Sequence, residues 1–356
     1  MRGKSIVAGV VLALAANPGA SAEAAYYEGK TITVIVGLSP AGSTDIFVRS
    51  FADVMARYIP GHPTIVVQNM AGSGGLVAAN HVYENAKPDG LTLYWSNWSP
   101  ISQIIDAAAL PAPYDEFAFI GAIGDTRLVY SRNDIIPGGL TEPADFAKAS
   151  GFNVGGLNPA GSQDLLLRLS LDLLGVDYNY VPGYEGGSEV FAAILRNEVQ
   201  LTSTSLISFR TRNADFIESG QGRGLYYMAA ADAAGNFKAN PNITDIPAFP
   251  ELYRKIRGGV PSGPTFEAYN WLAKLVGDIT IIALAPPGTD PEAVADLRAG
   301  YQAASKDKDF TEQTIKSLGQ PYSFVTPEEG EAILASLSEA PPGLAETLKA
   351  LIDSAK

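Results

Sequence analysis

Apolar positions fall into short β-branched runs separated by stretches with helical spacing. Thr31-Ile32-Thr33-Val34-Ile35-Val36 reads as a strand, the turn-rich residues 37–42 follow, and apolar spacing over 43–58 predicts a helix. The unit repeats. A strand at 64–68 leads into the glycine-rich Ala71-Gly72-Ser73-Gly74-Gly75, a helix over 76–85, the turn Lys87-Pro88-Asp89-Gly90 and a third strand at 91–95. Further along, strands are predicted at 128–130, 178–182, 199–203, 225–230 and 279–285, with helices at 188–197, 291–305 and 310–318. Strands alternating with helices predict an α/β chain with a parallel or mixed sheet covered by helices. Residues 233–263, rich in Pro, Gly and Asn around a short helical 249–256, read as an excursion.

The first residues follow another pattern. Arg2 and Lys4 precede an apolar run at 6–16, Asn17-Pro18-Gly19 breaks it, and Ala20-Ser21-Ala22 supplies small residues for cleavage. This is the layout of a secretory signal peptide, with removal expected after Ala22 or after Ala25. The run is shorter than the roughly 20 residues that span a bilayer, and no later segment is long and apolar enough, so no stable membrane insertion is expected.

An internal echo organises the rest. Gly37-Leu38-Ser39-Pro40-Ala41-Gly42-Ser43-Thr44-Asp45 is matched by Gly156-Leu157-Asn158-Pro159-Ala160-Gly161-Ser162-Gln163-Asp164, with Arg49 against Arg168 and Asp53 against Asp172. Each copy places Gly and Ser at a helix start, an acid in the first turn and an Arg four residues later as its i,i+4 partner. A recurrent helix cap is the alternative to a duplicated binding device. Two such loops predict two lobes: residues 1–22 the signal peptide, 23–126 the first part of lobe 1, 127–230 lobe 2, and 231–356 the return to lobe 1 with the excursion and closing helices. The segments at 128–130 and 225–230 are expected to cross between lobes as a hinge.

With 46% hydrophobic residues the chain has enough apolar material for such cores. Its formal net charge of −13, made more negative by loss of Arg2 and Lys4, repels nucleic acid and anionic lipid. An anionic ligand would therefore need local positive features, and helix starts with free N–H groups provide them without a cationic side chain. The loops 40–44, 72–75 and 159–163 offer small residues there, with Ser43, Thr44, Ser73, Ser162 and Gln163 adding side-chain hydrogen bonds or simply capping helices. Asp45 and Asp164 fit dipole-stabilising first-turn positions better than ligand contacts. Trp95, Asn97 and Trp98 follow a strand at the sheet end where open α/β sheets bind ligands, so they are candidates to wall a substrate.

Catalytic patterns are missing from the sequence. It has no cysteine, which excludes thiol nucleophiles and thiolate metal sites, and His62 and His81 lack neighbours at ligand spacing. No dinucleotide fingerprint, phosphate loop or nucleophile elbow occurs, and Ser305-Lys306-Asp307-Lys308 lacks the companions that would make its Ser-x-x-Lys meaningful. No cofactor and no metal are expected.

Taken in order, several stretches resemble the receptor components of tripartite tricarboxylate transporters. Lys30 to Val36 with Ser39-Pro40-Ala41-Gly42-Ser43-Thr44-Asp45 is similar to that family's first strand and ligand loop, and Val67-Gln68-Asn69-Met70-Ala71-Gly72-Ser73-Gly74-Gly75 to its second. Pro88-Asp89-Gly90-Leu91-Thr92-Leu93, Tyr114-Asp115 with Phe117, Val181-Pro182 with Gly186-Gly187, and Ala285-Pro286-Pro287-Gly288-Thr289 are further landmarks. The resemblance implies a hinged two-lobed periplasmic binding protein, type II-like, with crossing strands and a ligand cleft between lobes. It further implies a small organic carboxylate (a di- or tricarboxylate or an aromatic acid) held mainly by main-chain amides, and delivery to membrane permease subunits. It nominates Ser39, Ala41, Ser43, Thr44, Asp45, Ser73 and Gly74 on one side and Ala160, Ser162, Gln163 and Gly187 on the other; Asn97 and Thr204 complete the candidates. The chain departs from the family at Asp164-Leu165, where a His-Leu pair is common, at Thr204-Ser205, where an acid often stands, and in a turn over 182–187 one residue longer. A periplasmic, monomeric receptor is expected. The rivals are an exported hydrolase using the glycine-rich loops as an oxyanion or phosphate cradle, and a ligand-sensing partner of a signalling protein.

Overall fold

The structure, a computed structural model, describes residues 25–355 apart from 41–42, 73–74, 106–111, 185, 233, 242 and 319–320, and leaves the side chains of Ser43 and Asp278 undescribed. The expected signal peptide and the candidates Ala41, Ser73 and Gly74 lie outside the described residues. Two mixed sheets organise the chain. The first is built from β1 (Thr31–Val36), α1 (Ser43–Ala56), β2 (Thr64–Asn69), α2 (Leu76–Asn85), β3 (Thr92–Asn97), α3 (Pro100–Ile105) and β4 (Ala118–Gly124). Residues 125–126 then lead into the second: β5 (Arg127–Arg132), β6 (Ser150–Gly155), α4 (Ser162–Leu174), β7 (Asp177–Val181), α5 (Gly187–Leu195), β8 (Leu201–Ser205), α6 (Leu206–Arg210), α7 (Ala214–Glu218) and β9 (Gly222–Tyr227). The chain returns through α8 (Phe249–Arg257), α9 (Pro264–Asp278), β10 (Ile281–Ala285), α10 (Pro291–Ala304), α11 (Lys308–Leu318), β11 (Ser323–Val325), α12 (Pro327–Ala335) and α13 (Leu344–Asp353).

The strand orders are β11-β4-β10-β3-β1-β2 and β7-β6-β8-β5-β9. In the first sheet β1 is parallel to β2 and β3, and β4 reaches the same direction through antiparallel β10. The ends of β1, β2, β3 and β4 therefore share one sheet edge. In the second, β6 is parallel to β7 and β8 while β5 is antiparallel to β8, so the start of β5 lies at the edge where β6 and β8 end. Only the two residues Asp125 and Thr126 separate these edges along the chain.

Alternation explains the layering. Ile32, Val34 and Val36 of β1 pack with Phe47, Phe51, Trp95 and Tyr301, while Ile35 joins Ala78, Ala79, Val82 and Tyr94 on the opposite face. A strand buried on both faces reads as a continuous apolar run, which is why β1 was legible. One cluster runs through both sheets: Tyr94 and Phe119 of the first, Leu165 to Leu167 of α4 and Tyr226 of the second, and Leu272 and Leu275 of α9. Helix α9 packs on α4, α13 and β4, bridging the two sheets, and was not anticipated. Helix α8, inside the expected excursion, packs on α4 and β9 beside the second sheet, burying Phe249 and Leu252.

Candidate functional site

Three loops leave the adjacent ends of β3, β1 and β2. Gly37 lets two of them touch: a Cβ there would stand 2.6 Å from the Gly75 Cα. Gly75, with φ 105°, starts the helical turn of α2 in a conformation only glycine adopts freely, and a Cβ on it would meet the Tyr94 hydroxyl at 2.9 Å. The Tyr94 hydroxyl in turn donates to the Asn97 carbonyl. Thr44, in the first turn of α1, donates its hydroxyl to Asn97 Oδ1 at 2.8 Å, tying the loop after β1 to the end of β3. Ser39 is exposed at this edge, and Asn97 is partly buried.

Asp45 is 3% exposed and turned into the protein. It accepts from Arg49 Nε at 3.1 Å and from Asn69 Nδ2 at 2.8 Å, and Arg49 Nη2 donates to Asn69 Oδ1 at 2.7 Å. Asn69 also reaches the Leu38 carbonyl at 2.9 Å, so the triad braces the first loop from beneath. The expected i,i+4 pair is present here. Asn69 was overlooked as a positioning residue, although it stands in the quoted stretch before the glycine-rich loop.

The echo is partly realised on the other side. Helix α4 starts at Ser162 after Gly161, which supplies no side-chain cap. Asp164 accepts from the amides of Leu157 and Asn158 at 2.9 and 2.7 Å, leaving its helix start uncapped and fixing the loop instead. Burial raises the Asp164 pKa, with the Asn158 and Leu157 amides, Tyr180 and Arg127 pulling it back. Asn158 Oδ1 accepts from the Ala160 amide at 3.0 Å. Ser162 is 8% exposed and its Oγ is buried without a hydrogen-bond partner. Gln163 is half-buried beside it, and Gly187 is exposed at the start of α5.

Two expectations are corrected. Arg168 does not pair with Asp164: 2% exposed, it runs the other way, stacks over the Tyr180 ring at 4.6 Å, and donates to the Leu351 carbonyl and to Ser354 Oγ at the end of α13. Trp95 and Trp98 do not wall a cleft. Trp95 is packed edge-on against Phe47 and Phe51, and Trp98 donates to the Ile279 carbonyl at 3.1 Å against Tyr114. Alternation along β3 decides it, because Trp95 shares the face of Leu93 beneath α1.

The start of β5 carries a residue that sequence reading passed over. Arg127 pairs in register with Ser205, at the edge where β6 and β8 end, and Val129 two residues on packs with α4. Thr204 pairs with Leu128 on the other face, toward α5. Burial lowers the Arg127 pKa, and Asp125 and then Asp164 raise it again. Asp125 itself is pushed up to about 6 by burial, with Arg127, Ser205 and the amides of Ile207 and Leu206 opposing. A lone base after Gly124-Asp125-Thr126 gives no motif, so only the topology reveals its position.

No family model matches the chain. Curated relatives do. The chain is 26% identical over 344 residues to protein BugT of Bordetella pertussis, covering 92% of each, and 26% identical over 326 residues to a UPF0065 protein encoded in the gbd 5' region of Cupriavidus necator, covering 87% of this chain and 85% of that one. The chain is similar to BugT along most of its length. Its fold is that of the Bug- and TctC-like periplasmic binding proteins: it superposes on the periplasmic binding protein BugD with TM-score 0.63 at 23% identity, over 91% of this chain and 98% of that one. It is also similar to MatC of Rhodopseudomonas palustris with bound malate (TM-score 0.58, 21% identity, 91% and 99% covered) and to an R. palustris protein with adipate (0.65, 18%, 90% and 97%). The chain shares with these neighbours a fold built here on two mixed sheets. Among the described residues no cluster of His, Cys, Asp or Glu is arranged to hold a metal, and no helix is long and apolar enough to cross a membrane.

Proposed function

We propose that the chain is an extracytoplasmic receptor that captures a small organic carboxylate between its two sheets and delivers it to the membrane subunits of a tripartite tricarboxylate-type transporter. One observation carries this reading: the ends of β1, β2 and β3 converge through small and neutral residues, while Asp45, the acid in the first of these loops, is turned inward onto Arg49 and Asn69. A carboxylate arriving there meets amides and hydroxyls instead of negative charge, which reconciles an anionic ligand with an acidic protein. The malate and adipate held by two structural neighbours support the ligand class, and the solute-binding and periplasmic binding proteins of the same fold support holding over turnover. In this reading Ser39, Ala41, Ser43, Thr44, Ser73, Gly74 and Asn97 form one wall. Ala160, Ser162, Gln163, Gly187 and Thr204 form the other, and Asp45 supports the first from behind. The lobes divide near 126 and again after β9.

The test is a thermal-shift screen against mono-, di- and tricarboxylates, aromatic acids, amino acids and sugars. A ligand at 100 times its Kd stabilises the native state by about 2.7 kcal/mol. Carboxylates should raise the melting temperature, and Asn97→Leu, which removes the acceptor of the Thr44 hydroxyl, should weaken the effect at least tenfold in Kd. A shift with uncharged solutes alone would overturn the carboxylate reading.

A further inference from the structure

We propose that Arg127, together with the uncapped start of α4 at Ser162, forms a cationic subsite for a second anionic group of the ligand, making this receptor selective for dicarboxylates over monocarboxylates of the same length. The inference rests on the receptor reading and goes beyond it by naming a side chain that selects.

Four observations converge. Arg127 is the first residue of β5, at the edge where β6 and β8 end and three residues beyond the end of β4, so it stands at the junction of the two sheets. Among the described residues its partly buried guanidinium has no hydrogen bond and no ion pair within 4.0 Å, unlike Arg49, Arg132, Arg196, Arg210 and Arg298, each paired with a carboxylate. Strand alternation puts it on the α4 face, with Val129, where Asp164 lies close enough to act on its charge. At that helix start the Ser162 hydroxyl is more than nine-tenths buried and unpartnered, the N-cap Gly161 contributes no side chain, and Asp164 is engaged by the loop amides of Leu157 and Asn158.

A guanidinium without an ion-pair partner, at the sheet edge from which the chain runs into a thirteen-residue helix that starts with an unsatisfied hydroxyl, offers the donors an anion requires. The nearby acids do not take that role. Neither forms an ion pair with Arg127 among the described residues: Asp125 Oδ1 is buried without a hydrogen-bond partner, and Asp164 holds its own loop. They offset the cost of keeping the cation there and leave its donors for a guest. A monocarboxylate bound at the first-sheet loops leaves this subsite unpaired, whereas a dicarboxylate fills both ends; an unpaired buried polar site is what gives strong discrimination between such ligands.

The experiment measures Kd by calorimetry for succinate against butyrate and adipate against hexanoate, with the whole chain and with Arg127→Gln, Arg127→Lys and Ser162→Ala. Arg127→Gln should weaken the preferred dicarboxylate at least tenfold and leave its matched monocarboxylate within twofold; Arg127→Lys should recover part of the loss, and Ser162→Ala should weaken the dicarboxylate by a few fold. Melting curves without ligand confirm that each variant is folded, and Ser162→Ala carries the test if Arg127→Gln is not. Equal effects on both ligand classes, or none on either, overturn the subsite while leaving the receptor reading intact. Failure of the unaltered protein to bind any of the four acids overturns the subsite, and failure to bind any acid of the thermal-shift screen overturns the receptor reading as well.

Discussion

Asp45 shows how a residue nominated for a ligand serves the site from behind. Its carboxylate is shared by Arg49 and Asn69, and the same Asn69 holds the Leu38 carbonyl. Asp45→Ala should lower stability by about 1–3 kcal/mol, the cost of leaving buried donors unpaired. Denaturant melts would show it as a shifted midpoint with unchanged slope. Asp125 makes a pH prediction at the same scale. Its folded pKa, about 6, lies above the ordinary carboxylate value, so the native state holds a proton that the unfolded chain releases between about pH 4 and 6. The stability it contributes is therefore present below pH 4 and lost as pH rises through 6. Comparing unfolding free energies of the unaltered protein and Asp125→Asn from pH 4 to 8 should give a difference that changes by on the order of 2 kcal/mol across that window, and a flat difference would refute it. The Asp45–Arg49 pair was legible from its i,i+4 spacing, but the contact with Asn69 and the burial of Asp125 were not, because such acids look alike in sequence until their neighbours are known.

At the scale of elements, the repeated Pro-Ala-Gly-Ser loops do start two helices, as their pattern predicted, but the arginines in register diverge. Arg49 lies on a helix face beside β2 and finds Asp45; Arg168 lies in an interior filled by leucines and finds the end of α13. Its Nε and Nη1 remain buried without partners, so the residue is costly to keep and costly to cut. Arg168→Ala should detach α13 and destabilise by about 3–5 kcal/mol, because the cavity and the lost helix-end donors act together, whereas Arg168→Met, which fills the space without the charge, should lose much less. Amide exchange of 344–353 reads the difference. Strands with dense β-branched runs, and helices with clear starts such as α2, were legible to within a residue or two. Helix α9 was not, since Pro264 and the preceding Gly and Pro residues read as loop, and its apolar residues face two partners so that no single stripe stands out.

At the scale of the whole molecule, α9 sets the balance between hinge and core. Two lobes joined only by 125–126 and the return after β9 would unfold separately, yet a single apolar cluster passes from Tyr94 and Phe119 through Leu272 and Leu275 to α4 and Tyr226. That continuity binds the two sheets thermodynamically on the α9 side. If a ligand is captured between the sheets as proposed, closure is a rotation about the α9 side in which this packing is retained. Leu272, fully buried in α9, separates this from independent lobes. Leu272→Ala should cost about 2–5 kcal/mol and lower amide protection in β1 and in β6 together, with the melt remaining a single transition. Loss of protection confined to one sheet, or a split melt in the unaltered protein, would mean that each lobe carries its own stability and that α9 is a passenger of one of them. The linked outcome instead predicts that a ligand bound at the cleft edges protects both sheets equally, because unfolding either one must break the shared cluster.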